Sequence, residues 1–322
     1  MTKELTAISL FSGCGGFDYG AMKAGVKVVW ANDVDHVAAS AYKQLLPETE
    51  FVLDDIRNVK TFPCADILIG CYPCTGFSLA ARRKWKDRND RNLTDIDGNF
   101  LFREFLRALE ISNPKYFFVE NVRGMVTAHK GWFFQQQLDG FRERGYSVKY
   151  SLLNATDYGV AQSRQRIFLV GVRDDVAEDF EYNYLPPTHG AGLKPIQTLQ
   201  DAIGHMDPWP KGEFLERSFH GHYLTRNRKR KWTDPSYTIV ANCSHVPLHP
   251  GGEPMIYVST DNWALQGTHN RRLSWRECAA IQGLPSHIDP ESSINGKYRV
   301  VGNAVPPAFG TTLLTPVVEF EC

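Results

Sequence analysis

A thiol, a carboxylate and a pair of arginines at or near the ends of apolar runs are the groups in this 322-residue chain best suited to covalent chemistry. Asp66-Ile67-Leu68-Ile69-Gly70 reads as a buried strand that stops abruptly and presents Cys71-Tyr72-Pro73-Cys74 at its carboxyl end. That edge is where open α/β sheets hold their ligands. A thiolate there is a nucleophile, although a free cysteine is more commonly a small buried hydrophobe. Cys71 and Cys74 also have C-x-x-C spacing, as in a thioredoxin-like redox pair, but a long charged stretch follows where that motif needs a helix. No second cysteine pair completes a structural zinc site. Tyr116-Phe117-Phe118-Val119 is a second apolar strand ending in Glu120-Asn121-Val122, so Glu120 lies beside Cys74 if the two strands are neighbours. Arg164 and Arg166 precede a third apolar run, 167–172. Two apart in extended chain, they share a side suited to one anion or carbonyl, or they form a solvated strand face.

A second set of residues suits a nucleotide-like ligand. Residues 7–11 form a short strand, Ser12-Gly13-Cys14-Gly15-Gly16 a tight turn, and 17–24 a helix closed by Gly25. The glycines let backbone amides approach a ligand at a helix N-terminus, or they merely make a plain strand-to-helix connection. A dinucleotide fingerprint would need glycine where Asp18 stands. The next strand, 26–31, ends in Asn32-Asp33-Val34-Asp35, where Asp33 can accept two ribose hydroxyls and Asp35 can cap a helix over 36–45. A third unit ends at Leu53 with Asp54-Asp55-Ile56, either an acid for an adenine amino group with an apolar residue to cover its ring, or a solvated acidic turn.

These groups require a sheet with helices between its strands, which predicts an α/β, doubly wound, mostly parallel fold. The spacing predicts further helices over 99–111 and 132–144 and a strand over 146–153. The polar, mixed-charge stretch 80–97 reads as a long functional loop. From about residue 173, prolines, glycines and histidines accumulate and helical periodicity fades, so a second, smaller domain is expected. The division is 1–175, 176–268, and a closing segment 269–322 that returns to the first domain. Residues 217–232 carry Arg217, Arg226, Arg228, Lys229, Arg230 and Lys231 with Phe219, Tyr223 and Trp232 and no acid before Trp232. That mixture suits nucleic acid better than it suits a solvated face, which would intersperse acids. Ser274 and Glu277 have capping-box spacing for a helix reaching about Gln282, 300–307 reads as strand-like or turn, and an apolar helix starts at Ala308.

Composition bounds the reading. Lys+Arg and Asp+Glu are both 36, so a polyanion must meet a local patch. Seven scattered cysteines imply reduced thiols rather than a disulfide framework. No signal-peptide core or membrane-spanning run is evident, so a cytoplasmic protein is expected.

In order along the chain, the motifs resemble those of the DNA (cytosine-5) methyltransferases. Phe11 to Phe17, FSGCGGF, resembles the cofactor loop; ANDVD the ribose block; DDI the adenine block; PCTGFS the nucleophile motif; and ENV the catalytic glutamate motif. QSRQR is similar to the paired-arginine motif, and RLSWRECAAIQGLP and GNAVPP to the two closing blocks. The resemblance implies a Rossmann-like catalytic domain that uses S-adenosylmethionine, with a target-recognition region between arginine pair and closing blocks. It assigns catalysis to Cys74, Glu120, Arg164 and Arg166: Cys74 adds to C6 of a flipped-out cytosine, Glu120 meets the N3 edge, Arg164 holds O2, and Arg166 orients Glu120 or the phosphate. It assigns the cofactor to Phe11, Ser12, Gly13, Cys14, Gly15, Gly16, Asp33, Val34, Asp55, Ile56, Pro73, Asn303 and Ala304. DNA contacts are expected from Ser78, Arg82, Arg83, Gln162, Arg226, Arg228, Lys229, Arg230 and Lys231, with 80–97 as the lid. Asp33 stands where the family usually has Glu, and Cys71-Tyr72 and Thr75 replace commoner residues around the nucleophile. A sequence-specific, monomeric modification enzyme of prokaryotic or phage type is therefore expected, acting on double-stranded DNA, with a cognate restriction endonuclease as functional companion but no stable protein partner, metal or membrane. A tRNA cytosine methyltransferase of the same family, and an inactive DNA-binding regulator on this fold, are the rival readings.

Overall fold

Successive residues in the central strands face opposite sides, and both sides are apolar, which demands helices on both faces. The structure is a computed structural model that describes residues 4–73, 93 and 96–322. Seven strands, β1 (Thr6–Leu10), β2 (Lys27–Asp33), β3 (Glu50–Leu53), β4 (Ile67–Gly70), β5 (Tyr116–Val122), β6 (Tyr146–Asn154) and β7 (Gln165–Arg173), form one sheet. Their order is β3-β2-β1-β4-β5-β7-β6. The first five run parallel, and β7 is antiparallel to both its neighbours. The expected doubly wound, mostly parallel sheet is therefore present.

Alternation sorts the side chains. Ile8, Leu68, Phe117 and Val119 join one core cluster with α3 (Phe102–Ser112) and α4 (Trp132–Arg142). Ala7, Ile67, Ile69, Tyr116 and Phe118 join another with α1 (Gly16–Lys23) and the C-terminal α7 (Pro307–Glu321). Each fully buried large side chain contributes about 1.5–3 kcal/mol of transfer free energy. Position 70, the last of β4, requires glycine because a Cβ there would stand 2.4 Å from the Phe105 ring.

A third cluster joins α2 (His36–Leu45), α5 (Trp275–Ile281) and α6 (Ile294–Asn303) to Leu199, Ile203, Ile239 and Val246 from the irregular stretch. Within that stretch, a short hairpin of β8 (Ile256–Ser259) and β9 (Asn262–Ala264) packs beside Tyr223, Leu248 and Met255. Among the described residues no helix is long and apolar enough to cross a membrane.

Locally encoded features are where the sequence puts them. Asp35 accepts from the Val37 N–H to cap α2, and Ser274 with Glu277 forms the capping box of α5. One expectation fails: residues 300–303 are the last turn of α6, neither strand nor turn. Burial of Tyr298, Val300 and Val301 outweighs the poor helix propensity of the valine pair. The helix after them begins at Pro307, whose fixed φ suits a first helical position.

Candidate active site

Parallel register brings the strand ends to one edge. Leu10 pairs with Asn32 and Gly70, Asn32 with Val52, and Gly70 with Val119. The glycine loop, Asp33, Asp54-Asp55, Cys71 and Glu120 therefore lie together at that edge. Cys74, Ser78, Arg82 and Arg83, and most of the 80–97 stretch, lie outside the described residues.

Arg166 is directly opposite Val122, which places it diagonally to Glu120 on the same face. Its Nε stands 2.8 Å from Glu120 Oε1, both side chains being nearly buried. Among the described residues neither of these two buried atoms has a hydrogen-bond partner beyond this ion pair. Arg166 thus orients Glu120 through this ion pair.

Arg164 is held by the protein itself. Only 3% exposed, it donates from Nη1 to the carbonyls of Ile239 (3.2 Å) and Gly302 (3.3 Å). Both acceptors are backbone carbonyls of the protein. Burial, then the neighbouring Arg166, pulls its pKa down to about 9, which leaves it charged at neutral pH. Gln162, expected at the DNA, is also fully buried and accepts from the Ile239 N–H at 2.7 Å. Together with Ser163 N–H to Ser236 O (2.9 Å) and Thr238 Oγ1 to Ser163 O (2.7 Å), these bonds strap residues 236–241 onto the arginine loop.

The glycine loop is held from behind. Ser12 N–H donates to Asn32 O at 3.0 Å, and Gly13 N–H to Asp33 Oδ2 at 2.9 Å. The other Asp33 oxygen accepts from Asp35 N–H at 2.9 Å, and burial raises the carboxyl's pKa. Each oxygen retains a second lone pair for a hydroxyl. Phe11, Gly13 and Gly15 all have positive φ. A Cβ on Gly13 would meet nothing within 4 Å, whereas one on Gly16 would strike the Val305 carbonyl at 2.2 Å. The loop is thus open on one side and braced on the other by the GNAVPP segment.

At the end of β3, Asp55 accepts from the Arg57 N–H and guanidinium, which holds its pKa low. Ile56, expected to cover a ring, is 3% exposed and belongs to the core. The exposed apolar residues at these strand ends are Val34 (70%) and Leu53 (50%); Leu53, an apolar residue directly before two acids, was the overlooked signal. Pro73 and Asn303 are exposed and Ala304 is buried. Cys14 is buried and its thiol is pushed up to about 12, so it contributes backbone rather than reactivity. Burial, helped by Glu120 and Asp18, raises Cys71 well above its usual range. An open glycine cradle, a carboxylate with free lone pairs and exposed apolar strand ends fit a nucleoside-bearing cofactor.

A family model of the C-5 cytosine-specific DNA methylases matches residues 5–318. The chain belongs to that family. Among similar methylases, the Type II methyltransferase M.BsuRI of Bacillus subtilis is 36% identical over 362 residues, covering 99% of this chain and 80% of that protein. The Type II methyltransferase M.BspRI of Lysinibacillus sphaericus is also 36% identical, covering 98% and 82%. A candidate DNA modification methyltransferase from an E. coli prophage has the same fold as this methylase, with a TM-score of 0.73 at 19% identity over 98% of this chain and 99% of that one.

The basic segment of the methylase is split. Arg228 donates to the carbonyls of Tyr223 and His245 and stacks on Tyr223. Lys229 Nζ reaches Gly251 O, Glu253 O and Asn270 Oδ1 at 2.8–3.0 Å. Both are about 5% exposed, so their expected surface role gives way to an internal one. Arg226 and Lys231 are exposed and Arg230 is half-buried over the Tyr237 ring.

Proposed function

We propose that this protein is a sequence-specific DNA methyltransferase that acts on C5 of a flipped-out cytosine through a covalent bond between Cys74 and C6. The observation that carries the reading is the nearly buried Glu120, held 2.8 Å from the Arg166 guanidinium beside the carboxyl end of β4, the strand that leads into the Pro-Cys step of the sequence. C5 of cytosine is barely nucleophilic while the ring is aromatic. Addition of the Cys74 thiolate to C6 breaks that aromaticity and makes C5 an enamine carbon, while Glu120 hydrogen-bonds the N3 edge and supplies the proton that neutralises developing charge. Arg166 keeps Glu120 in place, and Arg164 holds the 236–241 strap against the same edge.

S-adenosylmethionine, when bound, supplies an electrophilic methyl group for C5. Phe11 to Gly16 would cradle it, Asp33 would accept its ribose hydroxyls, Asp55 its adenine amino group, and Val34 would cover the ring, with Asn303 and Ala304 completing the site and Val305 bracing the loop at Gly16. Loss of the C5 proton then expels Cys74. A base inside a duplex cannot reach this edge, and extruding it costs a few kcal/mol.

Residues 176–268 serve as the recognition domain in this reading, with Arg226, Arg230 and Lys231 on phosphates. Lys231→Ala is expected to weaken DNA binding and reduce the slope of log affinity against log salt by about 1. Lys229→Ala is expected to lower the thermal midpoint without changing that slope, and titrations at several salt concentrations distinguish the two.

The function is tested by bisulfite sequencing of a plasmid co-expressed with the protein, together with labelled methyl incorporation into DNA and tRNA. Protection of one cytosine in one recurring sequence is the expected outcome. Incorporation into tRNA alone, or into neither, would overturn the reading.

A further inference from the structure

Asp18 is a buried carboxylate that the mechanism leaves unused. It lies in the first turn of α1, immediately after the glycine loop, and is 1% exposed. Ser9 Oγ donates to Oδ1 at 2.9 Å and the Tyr42 hydroxyl donates to Oδ2 at 2.8 Å. Among the described residues no cation pairs with it; the two hydroxyls and the N-terminal end of α1 are its compensation. That is less than a buried carboxylate ordinarily has. Burial accordingly pushes its pKa up to about 6, so it is ionised at neutral pH and above.

The hydroxyls also tie it to the loop. Tyr42 is fully buried in α2, and its ring would be only 2.8 Å from a Cβ on Gly15, so it forms the floor beneath the glycine turn. Asp18 is not alone in its sign. After burial, Asp33 and Asp18 help raise Cys14, and Glu120, Asp18 and Asp33 help raise Cys71. Carboxylates from α1, β2 and β5 therefore act on the same two thiols, and of the three only Glu120 has an arginine beside it within ion-pairing distance among the described residues. An ionised group kept without a cation costs folding stability, and such exceptions collect where a ligand makes use of the charge.

We propose that Asp18 is the charge-selecting residue of the cofactor site: held by Ser9 and Tyr42 beneath the glycine loop, its carboxylate favours the sulfonium cation of S-adenosylmethionine over the neutral thioether S-adenosylhomocysteine. The inference rests on the cofactor assignment above. Methyl transfer removes one positive charge from the cofactor, so a fixed negative charge weakens the hold on the spent cofactor relative to the fresh one. Shape and hydrogen bonds to ribose and adenine are common to both molecules and cannot make that distinction.

Titration calorimetry of the full chain with each of the two ligands tests this. In Asp18→Asn, which keeps shape and removes charge, the preference for S-adenosylmethionine over S-adenosylhomocysteine is expected to fall by about tenfold. The loss is expected almost wholly in the first ligand, with a ligand-free thermal midpoint no lower than that of the wild type. Tyr42→Phe, which removes one stabilising hydroxyl and keeps the ring, is expected to move the ratio the same way by a smaller factor. Equal weakening of both ligands, or an unchanged ratio in both variants, would overturn the inference and make Asp18 a purely structural group. A wild-type protein that binds neither ligand would overturn the cofactor assignment, and this inference with it.

Discussion

Cys74→Ser is expected to reduce methyl transfer by at least about 10⁴-fold while leaving DNA affinity within a factor of two, because it removes a nucleophile and almost no surface. A cysteine thiol is a few per cent ionised at neutral pH, and its thiolate is intrinsically very nucleophilic, whereas a serine hydroxyl is far weaker without an adjacent base. Cys71→Ser is the matching control. Its thiol is held neutral by burial and by Glu120 and Asp18, so this variant is expected to retain most activity. Single-turnover methylation and a DNA titration on both variants check the pair. A covalent adduct with 5-fluorocytosine DNA, formed by the wild type and absent in Cys74→Ser, would also exclude an inactive regulator. Full activity in Cys74→Ser would sink the proposed mechanism.

Gly302→Ala is expected to have the second-largest effect, although residue 302 touches none of the proposed reacting groups. A Cβ there would stand 2.3–2.5 Å from the backbone of Val240 and Ala241, atoms that cannot rotate away. The strap 236–241 must lift, and Arg164 then loses one or both of the carbonyls of Ile239 and Gly302. Overpacking of this kind costs about 1–3 kcal/mol. The thermal midpoint should therefore drop by several degrees, roughly 2–4 °C per kcal/mol. The larger consequence is for turnover, since a displacement of about 1 Å near a reacting constellation costs on the order of 10²-fold. Measuring kcat with saturating DNA separates this from weakened binding. A wild-type rate at a temperature where the variant is folded would show that the strap need not be clamped.

Much of this protein is legible in its linear sequence because it rests on short-range physics. Apolar runs that stop at Gly70, Asp33, Leu53 and Glu120 mark strands whose carboxyl ends meet, since parallel strands share one direction and hence one edge. The caps at Asp35 and Ser274 are readable because donor and acceptor lie two or three residues apart. The order of motifs likewise reaches the family that the comparison finds across residues 5–318.

What only the tertiary structure decided depends on partners far away in the chain. Arg164 and Arg166 are equivalent as text. In the fold one meets Glu120 and the other the carbonyls of residues 239 and 302, because the chain passes from a loop into β7 between them. Arg228 and Lys229 look like their exposed neighbours until the folding of 243–270 around them supplies internal acceptors. Residues 300–303 are helix through burial rather than propensity, and Asp18 is a shielded charge only because Ser9 and Tyr42, 9 and 24 residues away, close over it. Sequence patterns thus determined which groups reach the edge of the sheet. Whether a charge there is exposed, paired or left alone was decided by long-range packing, because desolvation depends on everything that surrounds a group and not on what adjoins it in sequence.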